Sequence, residues 1–420
     1  MKIVTLTKEE FDAFARTNKY RNFYQTSNYG ELMSNYGFHE HFLGFINNAN
    51  RLVGASLVLY KKILFNYKYA YAPHGFLVDY SDPNFLIELA DNLKKLLYKQ
   101  RFIYIKIDPL IHCSERDKNG NLISYNKDIN NILEILAKAD FVHRGFNQYF
   151  ETCKPRWNAV IKMTTSSERL YMGFSKQIRN KIRKALKCGV SIYKGTKEDI
   201  PTFYKFIEKK HKRPLSYYQK FQELFQDDFE IYFAKIDPQK FVINSREEYE
   251  KELERNDRLN AEIQDKSTKG VTIRKLLNTK MQSDRLVDIY KSNMIYATKL
   301  LKDYPEGITI GATAIVKYEK EINLLIEGWN PKFSSYNPNY LIKWAILEKY
   351  CQEQYLTFNL NAITGEFKKP NKYSGLNESK LGMSASAIEY IGEFDYIINP
   401  FIYNICQWRP IRKKINKNTE

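Results

Sequence analysis

A chain of 420 residues has room for about two or three folding units and a core that needs no covalent staples. With 43% apolar and 27% charged positions its composition is globular, which excludes disordered and fibrous classes. The 66 Lys+Arg against 48 Asp+Glu leave a net charge of +18. That surplus favours polyanions (nucleic acid, nucleotide phosphates, an anionic membrane surface) without choosing among them.

The five cysteines form no C-x-x-C, which excludes a zinc ribbon or thioredoxin-type site and argues against a disulfide scaffold. The N-terminus, MKIVTLTKEEF, turns acidic before a long apolar run develops and does not read as a signal peptide. Apolar stretches such as Leu52 to Tyr60 are about half the length that crosses a bilayer. The expectation is a reduced, cytoplasmic protein.

In chain order, Leu43–Ile46 and Leu52–Tyr60 predict a β-hairpin around Asn47, Asn48 and Asn50. YAYAPHGFLVD, from Tyr69, is an apolar strand broken by Pro73 and Gly75. Phe85, Leu86, Leu89, Leu93, Leu96 and Leu97 recur at helical spacing, and Phe102–Ile107 is then a buried strand stopped by Asp108-Pro109. An Asp there is placed for chemistry at a sheet edge and serves equally well as a turn former.

A second, similar unit begins near Trp157. Asn158–Met163 reads as a strand. Phe174–Leu186 reads as a helix with Phe174, Ile178, Ile182 and Leu186 on one stripe, stopped by Gly189. After an interruption come strands over Gly307–Val316 and Asn323–Gly328, then a helix from about Pro338 to Gln354, opened by Asn337-Pro338. Thr357–Asn361 and Ala387–Ile398 are further strands. The interruption, SREEYEKELERNDRLNAEIQDK from Ser245, is charge-dense. With the pattern from Val271 to Leu301 it predicts an antiparallel helical hairpin whose first arm is roughly 33 Å long.

Two regions are strongly basic. Between Glu168 and Glu198 no acidic residue occurs, and Lys176, Arg179, Lys181, Arg183, Lys184 and Lys187 surround the apolar stripe of one helix, a face suited to a phosphate backbone. After Pro400, Phe401, Ile405, Trp408, Ile411 and Ile415 share a helical face ringed by Arg409, Arg412, Lys413, Lys414 and Lys417. That tail fits peripheral contact with an anionic membrane, or a capping helix on the core. There is no G-x-S-x-G, P-loop or H-E-x-x-H, and His39-x-His41 is too little for a metal. Tyr217, Tyr218, Tyr336 and Tyr340 could line a sugar or peptide groove, although most tyrosines in such a chain are core.

The collinear set FYQTSNYG, YAPHGFLVDY, YIKIDP, IRNKIRKALKCGV, YNPNYLIKWAI, ITGEF and SKLGMSASAIEYIGEF resembles the FemABX family of aminoacyl-tRNA-dependent peptidoglycan peptidyltransferases over essentially the whole chain. Where that family usually has Arg-Gly-Pro, this chain has His74-Gly75-Phe76. Where aromatics usually flank the site lysine, it has Ser379 and Met383.

The resemblance implies an α/β (α+β) fold with tandem GNAT-like subdomains: subdomain A at 1–153, subdomain B at 154–244 and 305–399, a helical arm at 245–304 and a basic tail at 400–420. It implies transfer of Ala, Ser or Gly from aminoacyl-tRNA to an amine of a peptidoglycan precursor, lipid II or UDP-MurNAc-pentapeptide, with neither metal nor cofactor. By the same resemblance Lys380 stabilises the oxyanion and Asp108 accepts a proton or orients the amine. His211, Arg213 and Tyr217 hold the precursor, with Tyr336 added from the tyrosines above, and the six cations from Lys176 to Lys187 meet the tRNA.

Two other readings share the composition. An acyl-CoA-dependent GNAT N-acyltransferase would need a Q/R-x-x-G-x-G/A loop opening a helix, and the partial look-alike from Arg51 to Ser56 lies inside a predicted strand. A non-catalytic RNA-binding protein would use the hairpin and basic helix as its footprint.

Overall fold

A computed structural model describes residues 1–63, 66–210, 213–265 and 271–406. The strands of the N-terminal half are β1 (Lys2–Thr5), β2 (His39–Ile46), β3 (Leu52–Lys62), β4 (Lys68–Ala72), β5 (Phe102–Ile107), β6 (His112–Arg116), β7 (Leu122–Tyr125) and β8 (Phe141–His143). Those of the C-terminal half are β9 (Trp157–Lys162), β10 (Val190–Lys194), β11 (Phe229–Ile236), β12 (Ile308–Tyr318), β13 (Glu321–Trp329), β14 (Thr357–Ala362), β15 (Ser386–Tyr390) and β16 (Phe394–Ile397). The helices are α1 (Lys8–Thr17), α2 (Ser27–Ser34), α3 (Pro83–Lys99), α4 (Ile129–Lys138), α5 (Ser167–Gly173), α6 (Lys176–Lys187) and α7 (Ile200–Ile207). They continue as α8 (Leu215–Phe225), α9 (Pro238–Gln264), α10 (Val271–Asp303), α11 (Pro338–Gln352), α12 (Ser374–Leu381) and α13 (Pro400–Cys406).

The strands form two mixed sheets, ordered β1-β2-β3-β4-β5-β16-β8 and β10-β11-β12-β13-β14-β9-β15-β6-β7. This is the tandem α/β arrangement expected. The two sheets exchange strands. β6 and β7 come from the N-terminal half yet extend the second sheet through β15, and β16 from the C-terminal half lies between β5 and β8 of the first. The single strand segment expected at Ala387–Ile398 is therefore two strands in two sheets. Gly392, at φ +101°, supplies the conformation between them.

The amphipathic patterns place the layers. Asp82 caps α3 by accepting from the Phe85 N–H at 3.0 Å, and Leu86, Leu89, Leu93 and Leu97 are buried against the first sheet's core. Each such leucine stabilises the fold by about 1.5–3 kcal/mol. On α6 the stripe Ile178, Ile182 and Ala185 is buried in the second core, while Leu186 is 49% exposed. Ser175 caps that helix, and the expected start at Phe174 is a break separating it from the short α5.

The hairpin arm is longer than the charge pattern suggested. α9 starts at Pro238, where Asp237 caps it, so its 27 residues extend roughly 40 Å. Its seam with α10 includes a polar layer. Asn256 donates to Ser283 Oγ (3.2 Å) and Asp284 Oδ1 (2.8 Å), and Ser283 donates to Glu252 Oε1 (2.7 Å). Leu259 is buried, whereas Leu253 is 37% exposed. Among the described residues no helix is long and apolar enough to cross a membrane.

Candidate active site

The FYQTSNYG segment is a fastener. Thr26 caps α2, and the buried Gln25 side chain accepts from Leu57 N–H (2.8 Å) and donates to Leu57 O (3.2 Å) and Pro73 O (2.9 Å). This ties α2 and β3 to the turn after β4. A Cβ on Gly75 would lie 2.8 Å from Ser56 Oγ and 2.9 Å from Gln25 Nε2, so the turn has no space for a side chain there. Phe76, standing where Pro is usual, is buried against the rings of Phe45 and Phe141.

That turn packs on Asp108, at the end of β5. Tyr71 Oη donates to Asp108 Oδ2 at 2.8 Å, the His74 N–H donates to Oδ1 at 2.6 Å, and the His74 ring lies 3.1 Å from the Asp108 carbonyl. Burial, reinforced by the Glu393 charge, pushes the Asp108 carboxyl up to about 8 despite the two donors. Burial likewise pulls His74 down to about 3, so the imidazole is neutral. Behind them Lys106 is held charged: burial opposes its charge, but Asp395 at 2.8 Å and Glu393 at 3.0 Å outweigh it.

From this corner a narrow cleft runs between the sheets, lined among others by Tyr24, His74, Lys154, Asn323, Asn361 and Tyr390. Lys154 Nζ sits 4.1 Å above the Tyr24 ring. The sequence reading missed Lys154. Its position just before Pro155, in the connection between the halves, carried no periodic signal.

Asn361 of the cleft lining is followed by Ala362, whose carbonyl accepts from Lys380 Nζ at 2.8 Å. Lys380 lies in the last turn of α12 and is buried, and desolvation lowers it to about 8 although Glu327 opposes the shift. Glu327, on β13, is already engaged: Lys343 of α11 donates to both its oxygens, at 3.2 and 3.0 Å. Lys343 thus holds the carboxylate, and Lys380 feels its charge only through space. Glu327 and Lys343 were also missed. The available signal was a lysine at a core position, three residues after Tyr340 and four before Leu347.

The remaining candidates separate. Arg213 stacks 4.3 Å over the Tyr217 ring, and its charge is felt by Tyr24 and Lys154, so both belong to the cleft's neighbourhood. Tyr336 is buried at the root of the arm, against Phe241, Phe333 and Tyr296, away from that group. His211 and residues 407–420, which hold most of the basic tail, lie outside the described residues. Of α13, Tyr403 is buried and donates to Asp395 at 2.7 Å, whereas Phe401 is exposed.

On α6 the six basic residues divide. Arg179 donates to the carbonyls of Met172 and Phe174, Lys181 packs over Tyr340 and donates to its hydroxyl at 3.0 Å, and Lys187 pairs with Glu248. Lys176, Arg183 and Lys184 point outward without a carboxylate partner among the described residues. Of the Arg51–Ser56 segment, Leu52 onward lies in β3, paired with β2, and it provides no helix N-terminus for a coenzyme pyrophosphate.

Comparison with known proteins decides the family: the model described as the FemAB family matches residues 6–409. This chain belongs to the FemAB family. It is similar to the aminoacyltransferase FemA of Staphylococcus epidermidis, 23% identical over 419 residues, covering 98% of this chain and 99% of that one. It is likewise similar to FemA of Staphylococcus aureus strain N315, 23% identical over 410 residues, 96% and 97% of the two chains. A crystal structure of FemX shares the fold with a TM-score of 0.72 at 21% identity, covering 96% of this chain and 99% of that one.

Proposed function

We propose that this FemAB protein is an aminoacyltransferase that takes Ala, Ser or Gly from aminoacyl-tRNA and joins it to an amine of a peptidoglycan precursor stem peptide. The acceptor is lipid II or its soluble UDP-MurNAc-pentapeptide relative, and the product is part of an interpeptide bridge. The observation that carries the reading is the end-to-end similarity to the FemA aminoacyltransferases.

The chemistry asks little of the protein. The acceptor amine attacks the ester carbonyl, a C–N bond forms, and the C–O bond to the tRNA ribose breaks. The ribose oxygen leaves with a proton while the ammonium gives one up. What remains for the enzyme is orientation and charge stabilisation. In this reading the Lys380 ammonium, bonded to the carbonyl of the residue that follows the cleft's Asn361, neutralises the tetrahedral oxyanion. Asp108 carries a proton over most of the neutral range, and its oxygens face Tyr71 and the His74 backbone. It therefore serves as an orienter of the acceptor rather than as a direct base. Arg213 and Tyr217 hold the acceptor's anionic part, and the outward cations of α6 meet the tRNA backbone. The location that follows is the cytoplasm, with the basic tail meeting the membrane when the acceptor is lipid-linked.

The test is to incubate the protein with charged tRNA pools and each precursor and to weigh the products. An added aminoacyl mass that depends on charged tRNA is the expected result. No added mass on any precursor overturns the reading.

A further inference from the structure

An open groove of about 440 Å³ lies between α6 and the base of the arm. One wall carries Asn180, Arg183, Lys184 and Lys187 from α6. The other carries Tyr290 and Asn293 from α10, and buried Phe241 and Ser245 of α9 form the floor. Lys187 is engaged with Glu248, the groove's one carboxylate among the described residues, so Arg183 and Lys184 give it a positive excess. Tyr290 stacks on no other ring among the described residues. Cations on one side, a free aromatic face on the other and an amide on each wall form a combination with a specific chemical complement. The cations suit phosphates, the phenol ring suits a planar base, and the amides can meet its edge.

α6 also connects this groove to the catalytic end of the fold. At the helix's start the Ser175 N–H donates to the Gly382 carbonyl at 2.8 Å, two residues after Lys380. The 12-residue helix then runs about 18 Å to Lys187. A few unstacked nucleotides span that distance, whereas a paired end buries its base faces in its own stack and cannot offer one to Tyr290.

We propose that the groove between α6 and α10 binds an unpaired nucleotide of a single-stranded RNA segment, its base stacked on Tyr290 and its phosphate between Arg183 and Lys184. This rests on the reading of an RNA-borne donor and assigns which part of that RNA the groove takes. An acidic peptide would satisfy the cations but would use neither the ring nor the amides.

The test is fluorescence anisotropy of the full chain with a 5′-labelled short single-stranded RNA, a blunt RNA duplex of equal length, and a polyglutamate peptide as competitor. The expected result is that single-stranded RNA binds more tightly than duplex. Tyr290→Ala should weaken it about tenfold or more, Tyr290→Trp should restore it, and Arg183→Gln with Lys184→Gln should flatten the salt dependence by about one phosphate contact. Because Tyr290 is half-buried, circular dichroism of each variant checks the fold, and photocrosslinking of wild type to 4-thiouridine RNA gives a readout without substitution. Equal binding of duplex, unchanged affinity in Tyr290→Ala, displacement by polyglutamate alone, or crosslinks away from Tyr290 would each overturn the proposal. Groove-dependent RNA binding without aminoacyl transfer removes the transferase reading and leaves the groove standing. Transfer that is indifferent to Tyr290 does the reverse.

Discussion

Lys343 grips both oxygens of Glu327, at 3.0 and 3.2 Å, and so withholds that carboxylate from Lys380. Lys380 is left with a carbonyl as its hydrogen-bond partner and gives up its proton at about 8. Replacing Lys343 by Met hands the Glu327 charge to Lys380 and raises its pKa. If the ammonium form is active, the alkaline fall in transfer rate moves to higher pH in Lys343→Met. A pH–rate profile with the fall unmoved contradicts the arrangement.

Transfer should depend on Lys380 itself in the same way. Below about 8 the ammonium is present and transfer proceeds; above it the charge is lost and the rate declines. Lys380→Ala is expected to lower kcat by about 10²–10³-fold, the usual cost of removing one oxyanion donor, with RNA affinity unchanged. Single-turnover assays alongside RNA binding separate the two.

Asp108 makes a stability prediction. Its carboxyl is raised from an ordinary 3.8 to about 8, so between those values the folded state holds a proton that the unfolded chain has released. Stability from this group therefore falls as pH rises from about 4 to 8. Asp108→Asn keeps the shape without the proton. Its melting temperature should vary less across that window than the wild type's, and parallel curves would refute the assignment.

Gly189 turns the chain from α6 into β10 at φ +70°, and a Cβ there would sit 2.5 Å from the Asp237 carbonyl oxygen, which is backbone and cannot swing away. Gly189→Ala should cost about 1–3 kcal/mol, measured by urea unfolding. The same contact joins α6 to the root of α9, so the arm's base should lose hydrogen-exchange protection along with it.

Helix stripes and hairpins were legible because they repeat locally: α3 and the β2–β3 pair lie within a few residues of where apolar spacing and the asparagine turn put them. Asp108 was legible from its place at a strand end. Lys380 was not, since a lysine beside Gly382 in a polar stretch looks like surface, and only the family resemblance selected it. Its burial depends on α11, β13 and β14 meeting, contacts between segments tens of residues apart. The division of α6 was equally invisible, because a helical wheel shows which side a lysine faces but not that Tyr340 or Glu248 waits there. The arm's seam was not legible for a related reason: Glu252, Asn256 and Ser283 satisfy one another across two helices, so polar residues occupy it.

The exchange of β6, β7 and β16 between the sheets has a consequence for taking the molecule apart. A gene divided after residue 153 would yield an N-terminal piece lacking the strand between β5 and β8, and a C-terminal piece whose β15 has lost β6, one of its two neighbours. Neither half is an autonomous module. Co-produced fragments would have to lace together to regain a fold, and a stable, soluble half expressed alone would show that the lacing is dispensable.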